Sequence, residues 1–301
     1  MAGVSDLPFR ILNRGFGCEL GFVEMINCRS ISHKSRRTRH MLSSSPSDRP
    51  LGVQLLGCEA QYISRAIEVL KDYEFDLLDF NAACPAKKVV RRGEGSSLLK
   101  EPKKLSGILK SLVKNSPVPV TVKIRIGWDR DSVNAVEVAR YAEGAGVEAI
   151  FIHGRTKAQG YSGPVDYEAI RQVKKTVRIP VIASGDIFSA LHARKMFDLT
   201  GCDGIAVARG ALGNPWIFRD TELFLKEGIM PQRPAVDEVI RVMSGHLDQC
   251  IDFYGERIGI VKFRKFFAWY TKGFRKVRPL REKSSRAKTS EEMERLIKAL
   301  S

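Results

Sequence analysis

The sequence predicts an α/β protein, a (β/α)8 TIM barrel followed by a small all-helical domain. Three observations carry this expectation. Short β-branched apolar runs alternate with amphipathic stretches, the pattern of a parallel sheet buried on both faces. Each run is apolar through its body and polar at its C-terminal end, where barrel enzymes keep their working groups. Beyond a proline-containing segment at 230–235 the pattern becomes wholly helical and strongly basic.

The runs, in order, are LGFVEMI (20–26), LGVQLLG (51–57), FDLLDFN (75–81), VPVTVKIRIG (118–127), VEAIFIHG (147–154), IPVIASGD (179–186) and CDGIAVARG (202–210). They make seven strands, and eight close a barrel. The chain opens at Met1-Ala2-Gly3, on what reads as a strand-end loop leading into the helix DLPFRILNRGF, so most of a first strand would lie before residue 1. Stretches such as EAQYISRAIEVLKDY (59–73) and SVNAVEVARYAEGAG (132–146) predict the covering helices. NPWIFRDTELFLKEG reads as the last barrel helix, which gives a barrel domain over 1–229. The two prolines of MPQRPA mark a linker at 230–235, and residues 236–301 form the helical domain.

Composition narrows the class. With 44% hydrophobic and 28% charged residues the chain is globular rather than disordered. No apolar run approaches the ~18 residues of a membrane span, and the first residues do not read as a signal peptide. The six cysteines, at 18, 28, 58, 84, 202 and 250, form no CxxC pair and no zinc spacing with histidine. No metal is expected, and reduced cysteines fit a cytoplasmic protein, expected to be monomeric. The net charge of +16 favours a polyanionic partner, nucleic acid ahead of a membrane. Between Arg257 and Lys288 stand 12 Lys/Arg against one acid, Glu282, and RSISHKSRRTRH (29–40) carries five Lys/Arg and no acid. The aromatics interleaved in KFRKFFAWYTKGFRK read as the core face of an amphipathic helix rather than as base-stacking platforms.

The strand ends read Glu24, Gln54, Asn81 with Cys84, Lys123 with Arg125, His153 with Arg155, Ser184-Gly185-Asp186, and Arg209-Gly210. Every end is polar while every body is apolar, which points to a site. The glycine-rich SGDI and ARGALGNP are either ordinary turns or a phosphate cradle, and Arg209 favours the cradle. Lys123, inside an apolar strand, is costly unless partnered. It is either a structural partner of Asp79 or Glu24, or it serves an electron-accepting ring or a phosphate.

The motifs MAGVSDLPFR, VQLLG, FNAACPAKKV, GEGSSLL, VKIRIGW, IHGRTKAQGYSGPVDY, IPVIASGDI and ARGALGNPWIF together resemble the tRNA-dihydrouridine synthases, most closely their bacterial B-type branch. The helical segment HLDQCIDFYGERIGIVKFRKFFAWYTKG resembles that family's tRNA-binding domain. The resemblance implies FMN as cofactor, NADPH as electron donor and a tRNA uridine as substrate, with both basic segments meeting the RNA. It implies Cys84 as proton donor. Gln54, Lys123 and His153 take flavin-binding positions, as do Ser184-Gly185-Asp186, Ala208-Arg209 and Met1-Ala2. Asn81 would face the uracil, and Arg155 would lie where the family contacts RNA. The chain departs from the family in Ala83, which stands for a glycine, and in Ser184, which stands for an asparagine. A free cysteine, with a pKa of about 8.5, keeps its proton at neutral pH and can act as a general acid. Two rivals are a flavin barrel enzyme acting on a free pyrimidine, resembling dihydroorotate dehydrogenase, and a non-catalytic RNA-binding barrel. The basic tail disfavours the former.

Overall fold

The structure, a computed structural model, describes residues 1–32 and 36–301, without the side chains of 32–37. The basic segment 29–40 is therefore described in part, and Lys34 and the side chains of Arg36 and Arg37 lie outside the described residues.

All sheet pairings are parallel. The strands are β1 (Gly21–Phe22), β2 (Ile26–Asn27), β3 (Leu51–Leu56), β4 (Leu77–Ala82), β5 (Val120–Arg125), β6 (Ala149–His153), β7 (Val181–Ser184) and β8 (Gly204–Ile205). From β3 to β8 each pairs with the next in sequence, the winding of a barrel. The strand expected at 20–26 is divided, because β1 and β2 both pair with β3. Gly21 pairs with Leu51 but Ile26 with Leu55, so one extra residue is absorbed between them as a bulge. Among the described residues no pairing joins β8 to β1, and the sheet is an open arc of a barrel.

The strands are buried along nearly their whole length. Leu55, Phe80, Val122, Ile124, Ile150, Ile152, Val181 and Ala183 are fully buried. Helices cover the outer face: Ala60–Leu70 turns Ile63, Ala66, Ile67 and Leu70 inward, and Ala135–Glu143 turns Val138, Ala139 and Ala142 inward. Each large aliphatic side chain so buried contributes roughly 1.5–3 kcal/mol.

The chain divides into two compact units, one of Met1–Asp6 with Glu19–Ala208, the other of Leu7–Cys18 with Arg209–Ser301. The division runs at Ala208 rather than at the expected 229–235, and two helices expected in the barrel domain, Leu7–Arg14 and Ile217–Glu227, fall in the second unit. Aromatic packing explains this. Phe9 stacks on Phe266 with ring centroids 5.8 Å apart, Phe16 meets Trp216 edge-on at 5.5 Å, and Trp216 meets Tyr270 at 6.3 Å. The Trp216 indole N–H donates to Glu238 at 2.6 Å. Phe263, Phe266 and Phe267 of the helix Glu256–Tyr270 are fully buried, so the aromatics among the basic residues form core.

Gly213 holds a left-handed φ of 65°, and a Cβ there would sit 2.4 Å from the backbone of Trp269 and Tyr270. Neither the conformation nor the neighbouring backbone can yield cheaply. Gly213→Ala is expected to destabilise the second unit by about 2–5 kcal/mol, read as a lower urea midpoint in tryptophan fluorescence. An unchanged midpoint would mean that this crossing is looser than described.

Candidate active site

Register sets the site. Gln54 pairs with Asp79, Asn81 with Lys123, Arg125 with His153, and His153 with Ser184. Asp79 and Asn81, like Lys123 and Arg125, are two residues apart on one strand and so share a face. Parallel strands thus deliver these side chains as neighbours at one end of the sheet.

Cys84 follows β4 on a loop held from both sides. Asn81 is buried, and its Oδ1 accepts from the backbone N–H groups of Ala83 at 3.0 Å and Cys84 at 2.8 Å. The Cys84 carbonyl accepts from the Ser96 backbone N–H at 3.1 Å and from the Ser96 hydroxyl at 2.9 Å. Gly95 has φ 60°, and a Cβ on it would approach the Cys84 carbonyl oxygen to 2.8 Å. Glu94, buried beside it, accepts from Asn27 at 2.9 Å and from Arg92 at 2.7 Å. The thiol itself is free and partly exposed on this fixed loop.

Behind the loop lies a polar layer. The Asn81 Nδ2 donates to Gln54 Oε1 at 2.8 Å, and Gln54 Nε2 donates to Asp79 Oδ2 at 2.7 Å. Asp79 is fully buried, and burial pushes its carboxyl up to about 6 against the bonds from Gln54 and Thr121 and the nearby Lys123 charge. Burial likewise pushes the Lys123 ammonium down to about 8, with Asp79 opposing. Asp79 reaches Lys123 through its field alone. The protein acceptor for the ammonium, among the described residues, is the Ser184 hydroxyl at 3.2 Å, which donates in turn to the Ile152 carbonyl at 3.0 Å. Neither structural partner considered for Lys123 bonds to it, and two of its three N–H donors remain for a ligand.

Two buried arginines organise the loops above. Arg125 Nε donates to the Ala83 carbonyl at 2.8 Å, and its Nη1 donates to the carbonyls of Thr156 at 2.9 Å and Gly160 at 2.8 Å. One guanidinium so joins the cysteine loop to the loop after β6. Arg155, 2% exposed, forms an ion pair with Asp186 and donates to the Gly163 carbonyl at 2.6 Å. Its guanidinium is committed to holding loops together. Asp186 makes that pairing from a left-handed backbone, with φ 50°. A Cβ on Gly185 would come within 2.9 Å of Val165 and 3.2 Å of the His153 ring, so the backbone passes close to both.

Of the remaining expected residues, Met1 and Ala2 form a turn in which the Val4 and Ser5 amides donate to the Met1 carbonyl, with Gly3 N–H donating to Glu24 at 2.6 Å. Ala208 is exposed at the end of the first unit, and Arg209 is exposed in the short helical turn that opens the second. Reading from the sequence left out Arg125 as a clamp, and Gly95-Ser96 as the far wall of the cysteine loop. The GEGSS run was a signal for the latter. Among the described residues no group of three or more histidine, cysteine or acidic side chains could hold a metal ion.

The comparisons with known proteins agree. The dihydrouridine synthase (Dus) family model matches residues 1–301. The chain belongs to the dihydrouridine synthase family. Among its relatives, tRNA-dihydrouridine synthase B of Pasteurella multocida is 38% identical over 273 residues, 91% of this chain and 82% of that one. The enzyme of the same name from Pseudomonas aeruginosa is 40% identical over 270 residues, 90% of this chain and 81% of that one. A probable tRNA-dihydrouridine synthase of Rickettsia conorii is 39% identical over 274 residues, 91% of this chain and 83% of that one. The structure of histamine dehydrogenase from Rhizobium sp. 4-9 shares the fold, with a TM-score of 0.55 and 12% identity over 82% of this chain and 46% of that one. In this member of the dihydrouridine synthase family the strand-end residues therefore sit on the barrel framework that the sequence predicts.

His153 is buried against Arg125, Lys123 and Arg155, and burial followed by these charges pushes its imidazole down to about 3. It is neutral at working pH, with one nitrogen to donate and one to accept. As pH falls below the ordinary value near 6.5, the unfolded chain takes the proton first, and this site's contribution to stability declines toward pH 3. The His153 ring resonances, assigned by loss in His153→Gln, are expected to stay at their neutral positions from about pH 8 to 5. A midpoint inside that range would contradict the buried, cation-lined setting.

Proposed function

We propose that this chain reduces a uridine of tRNA to 5,6-dihydrouridine, with FMN as cofactor and NADPH as the source of electrons. The observation that carries this reading is the partly exposed Cys84 thiol on a backbone pinned from both sides, with Arg125 bonded to its loop and Lys123 and His153 at the neighbouring strand ends, in a chain of the dihydrouridine synthase family.

The residues fit a flavin. Lys123 has two N–H donors without a protein acceptor among the described residues, and its positive charge would suit electron-rich ring atoms. His153 is a neutral donor-acceptor, and Gln54 lines the same layer. Ser184-Gly185-Asp186 and Ala208-Arg209 would hold the ribityl chain and phosphate, where close backbone approach and a cation suit an anion. Met1-Ala2 would lie under the ring. Reduced by NADPH, the bound FMN would supply the hydride for uracil C6 and return to its oxidised form. The Cys84 thiol donates the proton to C5, and the fixed loop holds Sγ on one side of the base. Asn81 sets that loop and stands beside the uracil. Arg155, through Asp186 and Gly163, holds the loops on which the RNA strand rests.

The substrate base lies within a folded RNA and must be turned out to reach the site. The second unit supplies a surface for the backbone. Arg257, Lys272, Arg275, Lys276, Lys283 and Arg286 are all exposed there. We take the enzyme to act as a monomer, with part of 29–40 as a second RNA contact.

Cys84→Ala is expected to bind FMN and tRNA normally and to lose about 100-fold or more in turnover with unmodified tRNA. Normal turnover would remove the thiol from the reaction. Binding of tRNA should weaken steeply with salt, with a log–log slope that grows with the number of phosphates contacted. A protein that purifies without flavin and does not take it up would overturn the whole reading.

A further inference from the structure

The hydrogen bonds behind Cys84 have a direction, and a carboxylate at their far end determines it. Asp79 lies within the strand body, fully buried, and its other oxygen accepts from the Thr121 hydroxyl at 2.7 Å. A buried carboxylate without an ion pair is a costly way to fill space. What it offers beyond volume is an acceptor that, when ionised, cannot donate. Gln54 must therefore turn its NH2 toward Asp79, at 2.7 Å, and its carbonyl oxygen toward Asn81. Asn81 must then turn its NH2 toward Gln54, at 2.8 Å, which leaves its carbonyl oxygen for the Ala83 and Cys84 amides at 3.0 and 2.8 Å. If Gln54 were reversed, two NH2 groups would face each other, and Asn81 would keep its loop bonds only against that clash.

We propose that Asp79 is a positioning residue for Cys84, setting the direction of the hydrogen bonds that run through Gln54 and Asn81 to the backbone of the cysteine loop. The proposal rests on the reading of Cys84 as proton donor for its importance to turnover, but its geometry can be tested without turnover. Hydrogen exchange of the Ala83 and Cys84 amides in FMN-free protein reports the last link directly.

Asp79→Leu removes the acceptor at similar volume and is expected to speed exchange of these amides about tenfold or more, with the helix Ala135–Glu143 unchanged as an internal reference. Asp79→Asn can face either way and should give a smaller rise. In the double variant Asp79→Asn with Gln54→Glu, the carboxylate moves one place along the chain of bonds. It then accepts both from the amide introduced at position 79 and from Asn81. The direction toward Cys84 is restored, and exchange should return to within about threefold of the parent. With FMN and tRNA, Asp79→Asn should lower kcat several-fold and leave KM for tRNA unchanged, since Asp79 is buried away from RNA.

Exchange unaltered in Asp79→Leu would overturn the proposal. So would a double variant that exchanges as fast as Asp79→Asn alone, since the effect would then follow the site of the charge and not the direction of the bonds. If Asp79→Leu fails to fold, seen as equal loss of protection in the reference helix, the comparison of Asp79→Asn with the double variant decides. If Cys84→Ala turns over normally while the exchange results hold, the proton-donor reading fails and the positioning of the loop stands.

Discussion

Every strand of the first unit runs in the same direction, and the rest of the site depends on that constraint. Parallel pairing sends all the strand ends out at one edge of the sheet, and in-register neighbours there become neighbours in chemistry. Asn81 beside Lys123, Arg125 beside His153 and His153 beside Ser184 follow directly from the pairing register. A slip of one residue in β5 would turn Lys123 and Arg125 to the opposite face. The buried Phe80, Val122, Ile124 and Ile152, by fixing that register, are as necessary to the site as the polar groups themselves.

The site places polar groups where the fold would prefer apolar ones. Asp79, Arg125, Arg155 and His153 are all buried, and the first three are tolerated because they are well partnered. Arg125 donates to three carbonyls, Arg155 to Asp186 and two carbonyls, and Asp79 accepts from Gln54 and Thr121. His153 is tolerated because it stays neutral. Lys123 is the exception, with one hydroxyl partner among the described residues. An ammonium held in a polar pocket with spare donors is poorly placed for stability and well placed for a flavin. The loops gain rigidity from this arrangement: one guanidinium reaches both the cysteine loop and the loop after β6, so the two cannot move independently.

Much of the fold was legible in the sequence. Seven apolar runs became seven strand positions, because runs buried on both faces leave little ambiguity. The residues at their ends were legible too, since a lysine, a histidine and an asparagine in apolar surroundings stand out. Partnership was harder to read. The apolar stripe of Leu7–Arg14 says that one face is buried but not that Phe9 stacks on Phe266, and so the expected barrel helices at 7–14 and 217–227 lie with the second unit. Asn81 could be placed near a base from its motif, but not seen to commit both ends of its amide to the loop and Gln54. The split of the 20–26 strand depends on a one-residue bulge that no periodicity announces.

The central claim is that Cys84 delivers a solvent-exchangeable proton to one face of the uracil while the hydride comes from elsewhere. Purified protein acting on unmodified tRNA in D2O, with unlabelled NADPH, tests it most directly. The account predicts dihydrouridine that carries solvent deuterium at C5 in a single stereochemical position, because a thiol exchanges with solvent and a pinned loop presents it from one side. No deuterium at C5, a mixture of C5 stereoisomers, or no dihydrouridine at all would contradict it.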